Sequence, residues 1–385
     1  MKKINFIIFF SIALGVYALI NYYIFIREWE AGGHNASWRI LYVAAFLLLA
    51  LSYIAGRFLE RVSLNWFSSG LVMIGSFWLA AMTYFLLFAF AIDILRLLNF
   101  IIPFFPSSFA VDPEQTKATT ALGVVGIVTV VVIGGYINAR TPRIRTLSLT
   151  IPKNGRSMKS LNIAVASDIH LGTIVCKSKL ERIVERINAL DPDLVLLPGD
   201  VVDEDIGPVI RNNLGETLRK IRSKFGVVAI TGNHEYIGGV EPACKYLVEH
   251  GITMLRDGSI TINNGVIIVG REDVSIRGFT GKIRKPLDEL MSGLDRSFPI
   301  ILMDHQPFHL EEAETNGVDL QLSGHTHHGQ LWPFNFITKK VYELSWGYKK
   351  KGNTHYYVSC GVGTWGPPVR TGNRPEIVNL KLKFE

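Results

Sequence analysis

The chain has two parts that differ in their pattern of hydrophobic and polar residues. Each apolar stretch of the first part is close to the roughly 20 residues that an α-helix needs to cross a bilayer. Four such stretches carry no charged residue: Ile4–Ile26, Ile40–Gly56, Trp66–Ile92 and Ala118–Asn138. The pattern predicts four transmembrane helices. A signal peptide is the alternative for the first stretch, but its length and the lack of a small-residue cleavage site favour an uncleaved anchor.

After about residue 150 the pattern changes to short apolar runs that are separated by amphipathic stretches. Leu180, Ile183, Val184 and Ile187 keep helical spacing between the first two runs. Continuous apolar strands with intervening helices predict an α/β fold in which both faces of the sheet are covered. The C-terminal "NLKLKF" alternates, and this predicts a half-exposed edge strand. The predicted strands are Asn162–Ala166, Leu194–Leu197, Val227–Ile230, Val266–Val269, Ile300–Met303 and Asp319–Leu322.

The positive charge of the chain is concentrated around the predicted membrane helices. The net charge is +7, of which residues 1–150 hold +5. No basic block with interleaved aromatic residues occurs in the second part, so no nucleic-acid partner is expected. We expect the basic segment 140–145 to lie at anionic lipid headgroups. The three cysteines are far apart and form no C-x-x-C motif, which argues against a disulfide framework.

Lysine and arginine residues near the ends of the predicted helices indicate the orientation of the protein in the membrane. Cytoplasmic segments are enriched in these residues. The larger group falls on the side of both termini, and this predicts that the second part of the chain lies in the cytoplasm. That group is Lys2, Lys3, Arg57, Arg61, Arg140, Arg143 and Arg145, and the opposite group is Arg27, Arg39, Arg96 and Lys117.

Polar clusters follow five of the six predicted strands. Side chains at the carboxyl ends of strands in a parallel or mixed sheet gather at one edge. Five clusters in that position predict a single site, and their residue types are those that bind metal ions. The clusters are "SDIH" with Asp168 and His170, "PGD" with Asp200, "TGNHE" with Asn233, His234 and Glu235, "MDHQP" with His305, and "SGHTHHG" with His325, His327 and His328.

The spacing within these clusters indicates how they would bind metal. Residues i and i+2 of an extended chain point the same way, so Asp168 and His170 can face one ion. His325 and His327 can do the same, while His328 should point away. Imidazoles with carboxylate and amide oxygens suit Mn, Fe, Zn or Co better than Ca or a lone Mg. Two ions about 3.5–4 Å apart need a bridging carboxylate, for which Asp200 is the natural choice. The remaining positive charge favours an anionic substrate and a phosphoryl-transfer transition state.

These motifs resemble those of the calcineurin-like metallophosphoesterase superfamily. The resemblance covers about residues 160–385 and is closest to the bacterial integral-membrane branch, whose tail resembles "SCGVGTWGPPVRTGNRPEIVNL". It implies a four-layer α/β/β/α sandwich of two mixed sheets at 147–385, preceded by an all-α transmembrane four-helix region at 1–146. The motifs are D-x-H at Asp168–His170, G-D at Gly199–Asp200, G-N-H-E at Gly232–Glu235, His305, and G-H-T-H at Gly324–His327.

The resemblance also implies roles for individual residues. His234 would be catalytic, as a general acid or a phosphate-oxygen ligand, paired with Asp168. A hydroxide that bridges the metals would attack phosphorus in line. Sequence position alone, apart from the resemblance, leaves two roles open for Glu235, which would hydrogen-bond a ligand or only shape the turn. Trp332, Phe334 and Trp365 lie close in sequence to the ligand loops and would line a substrate groove or, as is more usual, only pack. One divalent ion would be held by Asp168, His170, Asp200 and His327, and the second by Asp200, Asn233, His305 and His325.

The sequence therefore predicts a membrane-anchored, dinuclear-metal phosphoester hydrolase of a bacterial cytoplasmic membrane. Its substrate would contain a phosphodiester or pyrophosphate bond. The anchor and its contact with membrane lipids favour a lipid-linked phosphorylated substrate, as for UDP-diacylglucosamine-type pyrophosphatases of the same superfamily. The alternative is a membrane sensor or scaffold whose phosphoesterase domain binds a phosphorylated ligand without turnover. The complete set of candidate ligands, together with His234, favours the hydrolase.

Overall fold

The computed structural model describes residues 3–32, 36–156 and 158–385. Lys2, which contributes to the predicted orientation, lies outside these residues. The chain divides into two compact units, residues 1–136 with 366–369 and residues 137–365 with 370–385. The N-terminal helices are α1 Lys3–Ala31, α2 Ala36–Val62, α3 Trp66–Ile101, α4 Ser108–Val111 and α5 Pro113–Ala139.

The second unit contains twelve strands among its described residues, with short helices between them. The helices are α6 Lys177–Asn188, α7 Gly207–Arg211, α8 Leu214–Leu218, α9 Asn233–Gly238, α10 Val240–Glu249, α11 Ile276–Thr280, α12 Leu287–Met291, α13 Glu311–Thr315, the 3-10 helix η1 His327–Gly329 and α14 Asn335–Val341. The strands are β1 Arg143–Ile151, β2 Ser160–Val165, β3 Leu194–Pro198, β4 Val227–Ile230, β5 Ile252–Met254, β6 Gly258–Ile262, β7 Val266–Gly270, β8 Ile300–Met303, β9 Leu320–Ser323, β10 Gly347–Lys351, β11 Thr354–Val358 and β12 Glu376–Phe384.

The four long N-terminal helices match the four predicted membrane spans. Within the described residues, α1 from Phe10 onward, α2, α3 and α5 are long and apolar enough to cross a membrane. Helix α3 begins at a capping box, in which the side chain of Asn65 accepts hydrogen bonds from the backbone of Phe67 and Ser68. It continues beyond the predicted end at Ile92, to Ile101.

Glycines allow α2 and α3 to pack closely. A Cβ atom on Gly75 of α3 would overlap the backbone nitrogen of Tyr53 on α2, and one on Gly56 would lie 2.6 Å from the backbone nitrogen of Val72. Small residues at such contacts let helix backbones approach each other in a membrane, where the hydrophobic effect does not drive association. The close contact therefore depends on the missing side chains.

The second unit is built from two six-stranded sheets, in the orders β1-β12-β2-β3-β4-β5 and β10-β11-β9-β8-β7-β6. Alternate residues of each buried strand face opposite sides. Ile163 and Leu196 of the first sheet join Ile268 and Met303 of the second in one core. The alternate side chains on the same strands pack against helices on the outer faces. Leu197 of β3 packs with apolar residues of α6, and Val269 of β7 and Leu302 of β8 pack with apolar residues of α12. The result is the predicted α/β/β/α order of layers.

The prediction of a C-terminal edge strand was wrong. Strand β12 is an inner strand, because it pairs antiparallel with β2 and in parallel with β1. The edge is β1, whose first residues Arg143 to Arg145 were expected to belong to a basic linker. Lys381 and Lys383 are exposed on β12, so the alternation in "NLKLKF" reflects one solvated face and not a missing neighbour.

The close α2–α3 contact gives a stability prediction. We expect Gly75→Ala to destabilise the helical unit by about 1–3 kcal/mol, because its Cβ would overlap the backbone of Tyr53 and the two helices would have to move apart. Gly70→Ala on the same helix is the matched control, because no atom lies within 4 Å of its Cβ position. The measurement is the temperature at which the detergent-solubilised protein loses its monodisperse elution. Equal temperatures for the two variants would contradict the packing role of Gly75.

Candidate metal centre

The loops that carry the predicted ligands have an unusual backbone conformation. Asp168, His170, Asp200, His325 and His327 all have positive φ, between 44° and 70°. Left-handed backbone at residues other than glycine costs of the order of 1 kcal/mol or more each and is concentrated at functional sites. The side chains are therefore not presented by an extended chain, as their spacing alone led us to expect. Tight left-handed turns after the strands aim them at the centre.

The first cluster consists of Asp168, His170 and His327. These residues are buried, and each offers a ligand atom within 4.8 Å of those of the other two. The Nε2 atoms of His170 and His327 lie 2.9 Å apart, and Nε2 of His327 lies 3.5 Å from Oδ1 of Asp168. This is the set predicted for one ion, apart from Asp200.

The second cluster consists of Asp200, His305 and His325. Nε2 of His305 lies 3.1 Å from Oδ2 of Asp200. Asn233 adjoins this cluster, with its Oδ1 2.8 Å from Nδ1 of His325. The same oxygen of Asp200 is 3.8 Å from Nε2 of His170, which belongs to the first cluster. Asp200 thus occupies the position between the two clusters that a bridging carboxylate needs.

The hydrogen bonding of His305 fits a metal ligand. Its Nδ1 lies 2.8 Å from the carbonyl oxygen of Pro198, which can only accept, so Nδ1 carries the proton. Nε2 then presents a lone pair, is buried, and has no hydrogen-bond partner. Such a second contact at Nδ1 fixes the tautomer that binds metal through Nε2. The lone pair and the Asp200 carboxylate face each other, and a proton or a cation must lie between them.

Burial and the neighbouring charges shift the pKa values of three candidate ligands. Burial disfavours the charged form of His305, but the negative charge of Asp200 outweighs burial and raises its pKa well above the usual range. Burial, assisted by the neighbouring His170 and Arg370, lowers the pKa of His327 well below its usual value. Burial and His305 lower the pKa of His325 to about 4. His325 and His327 are therefore neutral and ready to bind a divalent cation, whereas on His305 such a cation would replace the proton that faces Asp200.

His234 lies beside the first cluster but pairs with an unpredicted partner. Its Nδ1 is 3.0 Å from Oδ1 of Asp203, whereas the sequence had led us to expect Asp168. Asp168 is engaged elsewhere, because its carboxylate accepts from the backbone of His325 and from the hydroxyl of Ser167. Burial disfavours imidazolium, but Asp200 and Asp203 outweigh burial and raise the pKa of His234 to about 9.

Asp203 is a residue of the candidate site that the sequence analysis missed. It is buried and also lies 3.5 Å from Nδ1 of His170, so one carboxylate faces both histidines. The available signal was a second aspartate on the loop of Asp200, three positions later. A carboxylate at the outer nitrogen of a metal-binding histidine orients the ring.

The side chains of Glu235 and His328 both form hydrogen bonds within the protein. The Glu235 carboxylate accepts hydrogen bonds from the backbone of Val202 and Gly232, at 2.8 and 2.7 Å, and from that of Asp200 at 3.2 Å. It thus shapes the turn and holds the Asp200 loop. His328 points away from both clusters, towards the hydroxyl of Ser345 at 3.0 Å.

Aromatic residues surround the centre and remain accessible. The Trp365 ring lies 5.7 Å from that of His234, and the Tyr342 ring lies 6.2 Å from that of His325. About half of the surface of Trp332 and Trp365, and 41% of that of Phe334, is exposed. Their exposure is what a substrate groove would require.

Similarity to known proteins agrees with this geometry. The family model described as calcineurin-like phosphoesterase matches residues 161–329. An uncharacterized metallophosphoesterase of Aquifex aeolicus is 32% identical over 66% of this chain and 97% of its own length. An uncharacterized metallophosphoesterase of Helicobacter pylori strain J99 is 34% identical over 65% of this chain, which spans 66% of that protein. A Danio rerio protein named transmembrane protein with metallophosphoesterase domain is 29% identical over 90% of this chain and 80% of its own length.

These features define a metallophosphoesterase with a membrane region. The chain belongs to the calcineurin-like metallophosphoesterase family, as its motifs led us to expect. Its relatives include proteins named as transmembrane, in agreement with the four candidate spans. Divalent metal binding is implied by the family and fits the clustered histidines and aspartates.

The His234–Asp203 pair gives a prediction for the metal-free protein. A pKa raised from 6.5 to about 9 stabilises the fold below pH 6.5, and this contribution is lost as the pH rises through 9. We expect Asp203→Asn to remove much of it, so the melting temperature should fall less between pH 6.5 and 9.5 in the variant. Thermal unfolding in EDTA measures this. Asp205→Asn on the same loop is the control, and an unchanged pH dependence in Asp203→Asn would refute the pairing.

Proposed function

We propose that the protein is a membrane-anchored phosphoester hydrolase that uses two divalent metal ions and cleaves phosphodiester or pyrophosphate bonds. The observation that carries the proposal is the pair of adjacent clusters with Asp200 between them, whose ligand atoms face each other. In this proposal the predicted membrane region of about residues 1–146 anchors a phosphoesterase domain, predicted at 147–385, whose first strand β1 already begins at Arg143. Family membership supports the reaction class.

Each residue then has a proposed role. Divalent ions bound here would polarise the phosphate oxygens and lower the pKa of water. His234 holds a proton for the leaving-group oxygen, since Asp203 occupies Nδ1 and leaves Nε2 for the substrate. Asp203 is a positioning residue. The first ion is assigned to Asp168, His170, Asp200 and His327, and the second to Asp200, Asn233, His305 and His325.

The membrane region supports a proposal about the substrate. Two divalent ions exceed the charge of the two aspartates in the ligand set, so the centre favours an anion. An enzyme held at a bilayer meets lipid-linked phosphates at high local concentration. We therefore place the substrate among lipid-linked phosphodiesters or pyrophosphates. The excess of basic residues on the side of the termini supports a cytoplasmic location for the phosphoesterase domain, at a bacterial cytoplasmic membrane.

Hydrolysis of bis-p-nitrophenyl phosphate by the full-length protein in detergent tests the function. We expect turnover with Mn²⁺ that EDTA abolishes. Asp200→Asn should abolish it too, because both ions would lose a ligand. His234→Ala should lower the rate by about 10²–10⁴-fold, the usual contribution of a general acid. The rate with p-nitrophenyl phosphate then ranks diesters against monoesters.

His309→Ala is the matched control. His309 lies four residues after His305, but its side chain is 70% exposed and contacts Glu311, outside both clusters. Its loss should leave the rate unchanged. A protein that binds Mn²⁺ without hydrolysing any phosphoester would refute the proposal and favour a sensor or scaffold that binds a phosphorylated ligand.

A further inference from the structure

A second feature of the phosphoesterase unit is a surface of apolar and basic residues next to the metal centre. Helix α14 has no buried residue. We call the exposed part of residues 331–342 the apolar-basic surface. No aspartate or glutamate occurs in this stretch. Its exposed large side chains are Trp332, Phe334, Phe336, Ile337 and Val341, and its basic residues are Lys339 and Lys340.

The apolar-basic surface is held in place by the metal-centre loop. Helix η1, which contains His327, packs so closely on the start of α14 that a Cβ on Gly329 would overlap the backbone of Asn335. The amide of Trp332 donates to the hydroxyl of Thr371 at 3.0 Å. The surface is thus a fixed extension of the loop that carries two candidate ligands.

Gln330 joins the apolar-basic surface to Trp365. Its side-chain amide donates to the carbonyl of Trp365 at 2.9 Å and accepts from the backbone nitrogen of Trp365 at 3.1 Å. Trp365 is the ring beside His234. Gln330 therefore links the start of the apolar-basic surface to the exposed tryptophan beside the proposed general acid.

We propose that the apolar-basic surface inserts into the interfacial layer of a bilayer that contains anionic lipids. Aromatic and aliphatic side chains with neighbouring lysines have the composition of interfacial segments. Burial of such apolar side chains and the attraction of lysines to anionic lipids both favour insertion. The absence of acidic residues in the stretch makes the charge complementary to anionic headgroups.

A bilayer is available wherever this protein is inserted. The same chain carries four candidate spans among its described residues, and only residues 140–142 separate α5 from β1. Membrane contact by α14 therefore needs no separate targeting, and modest affinity suffices when the effective concentration is high.

The consequence for catalysis rests on the proposed function. A phosphate carried on a lipid headgroup would reach His234 and the metal ligands from the interface, with its acyl chains still in the bilayer. The apolar-basic surface would thus select anionic amphiphiles over soluble phosphoesters. The insertion itself requires no turnover, so it is tested independently of activity.

Fluorescence quenching in lipid nanodiscs that hold one full-length copy each tests the insertion. An environment-sensitive probe is attached at Phe336→Cys in a Cys176→Ser background, because Cys244 and Cys360 are buried. The control probe is at Val248→Cys on α10, since Phe336 and Val248 are both 55% exposed. With lipids brominated near the top of the acyl chain, we expect the probe at 336 to lose most of its fluorescence and the probe at 248 to lose none.

The positive charge of Lys339 and Lys340 provides a second test of the insertion. Lys339→Glu with Lys340→Glu should reduce quenching at 336 in discs that contain phosphatidylglycerol, and reduce it less in discs of phosphatidylcholine alone. Hydrolysis of bis-p-nitrophenyl phosphate by the same variant should be retained, because this soluble substrate does not use the surface. Equal quenching at 336 and 248 would overturn the proposal. Protection of 336 from aqueous iodide without quenching by bromolipid would also overturn it, and would show that protein covers the surface.

Discussion

Buried imidazoles and carboxylates can face one another at hydrogen-bond distance only if positive charge lies among them. This constraint governs the phosphoesterase unit. The loops after β2, β3 and β9 adopt left-handed turns at five candidate ligands, and Glu235 fixes the turn that precedes α9. That strain is tolerated because the strands behind the loops are anchored by residues buried in two cores shared with neighbouring layers. The rigid double sheet is thus what allows an electrostatically unfavourable arrangement to persist until cations bind.

Much of this arrangement could be predicted from the sequence, for physical reasons. Six apolar runs became β2, β3, β4, β7, β8 and β9, because strands that are covered on both faces are apolar at most positions. Seven candidate ligands follow strand ends, and topology brings them together whatever the details of the loops. The four candidate spans could be predicted because apolar stretches of about 20 residues without a charge are typical of membrane-spanning helices.

The remainder depended on contacts between distant residues. The pattern of "NLKLKF" does not reveal whether a strand has a neighbour, and the partner β1 lies in a segment that resembled a basic linker. Asp203 could not be ranked above Asp168 as the partner of His234, because the choice depends on how three loops meet. The side-by-side aim of Asp168 and His170 was expected from extended geometry, and it comes instead from positive φ values that spacing does not encode. The exposure of Trp332 and Trp365 likewise depends on tertiary structure.

The pairing of β1 with β12 has a consequence for biosynthesis. Strand β1 follows the last candidate span of the described residues, whereas β12 begins at Glu376, and the two pair in parallel from Arg143–Glu376 to Ile151–Phe384. Among the described strands, β12 is the only neighbour of β1 in the sheet, so β1 stays unpaired until β12 has been synthesised. The membrane helices can therefore be inserted before the first sheet is complete, and assembly of that sheet is intrinsically slow because it awaits a contact of very long sequence separation.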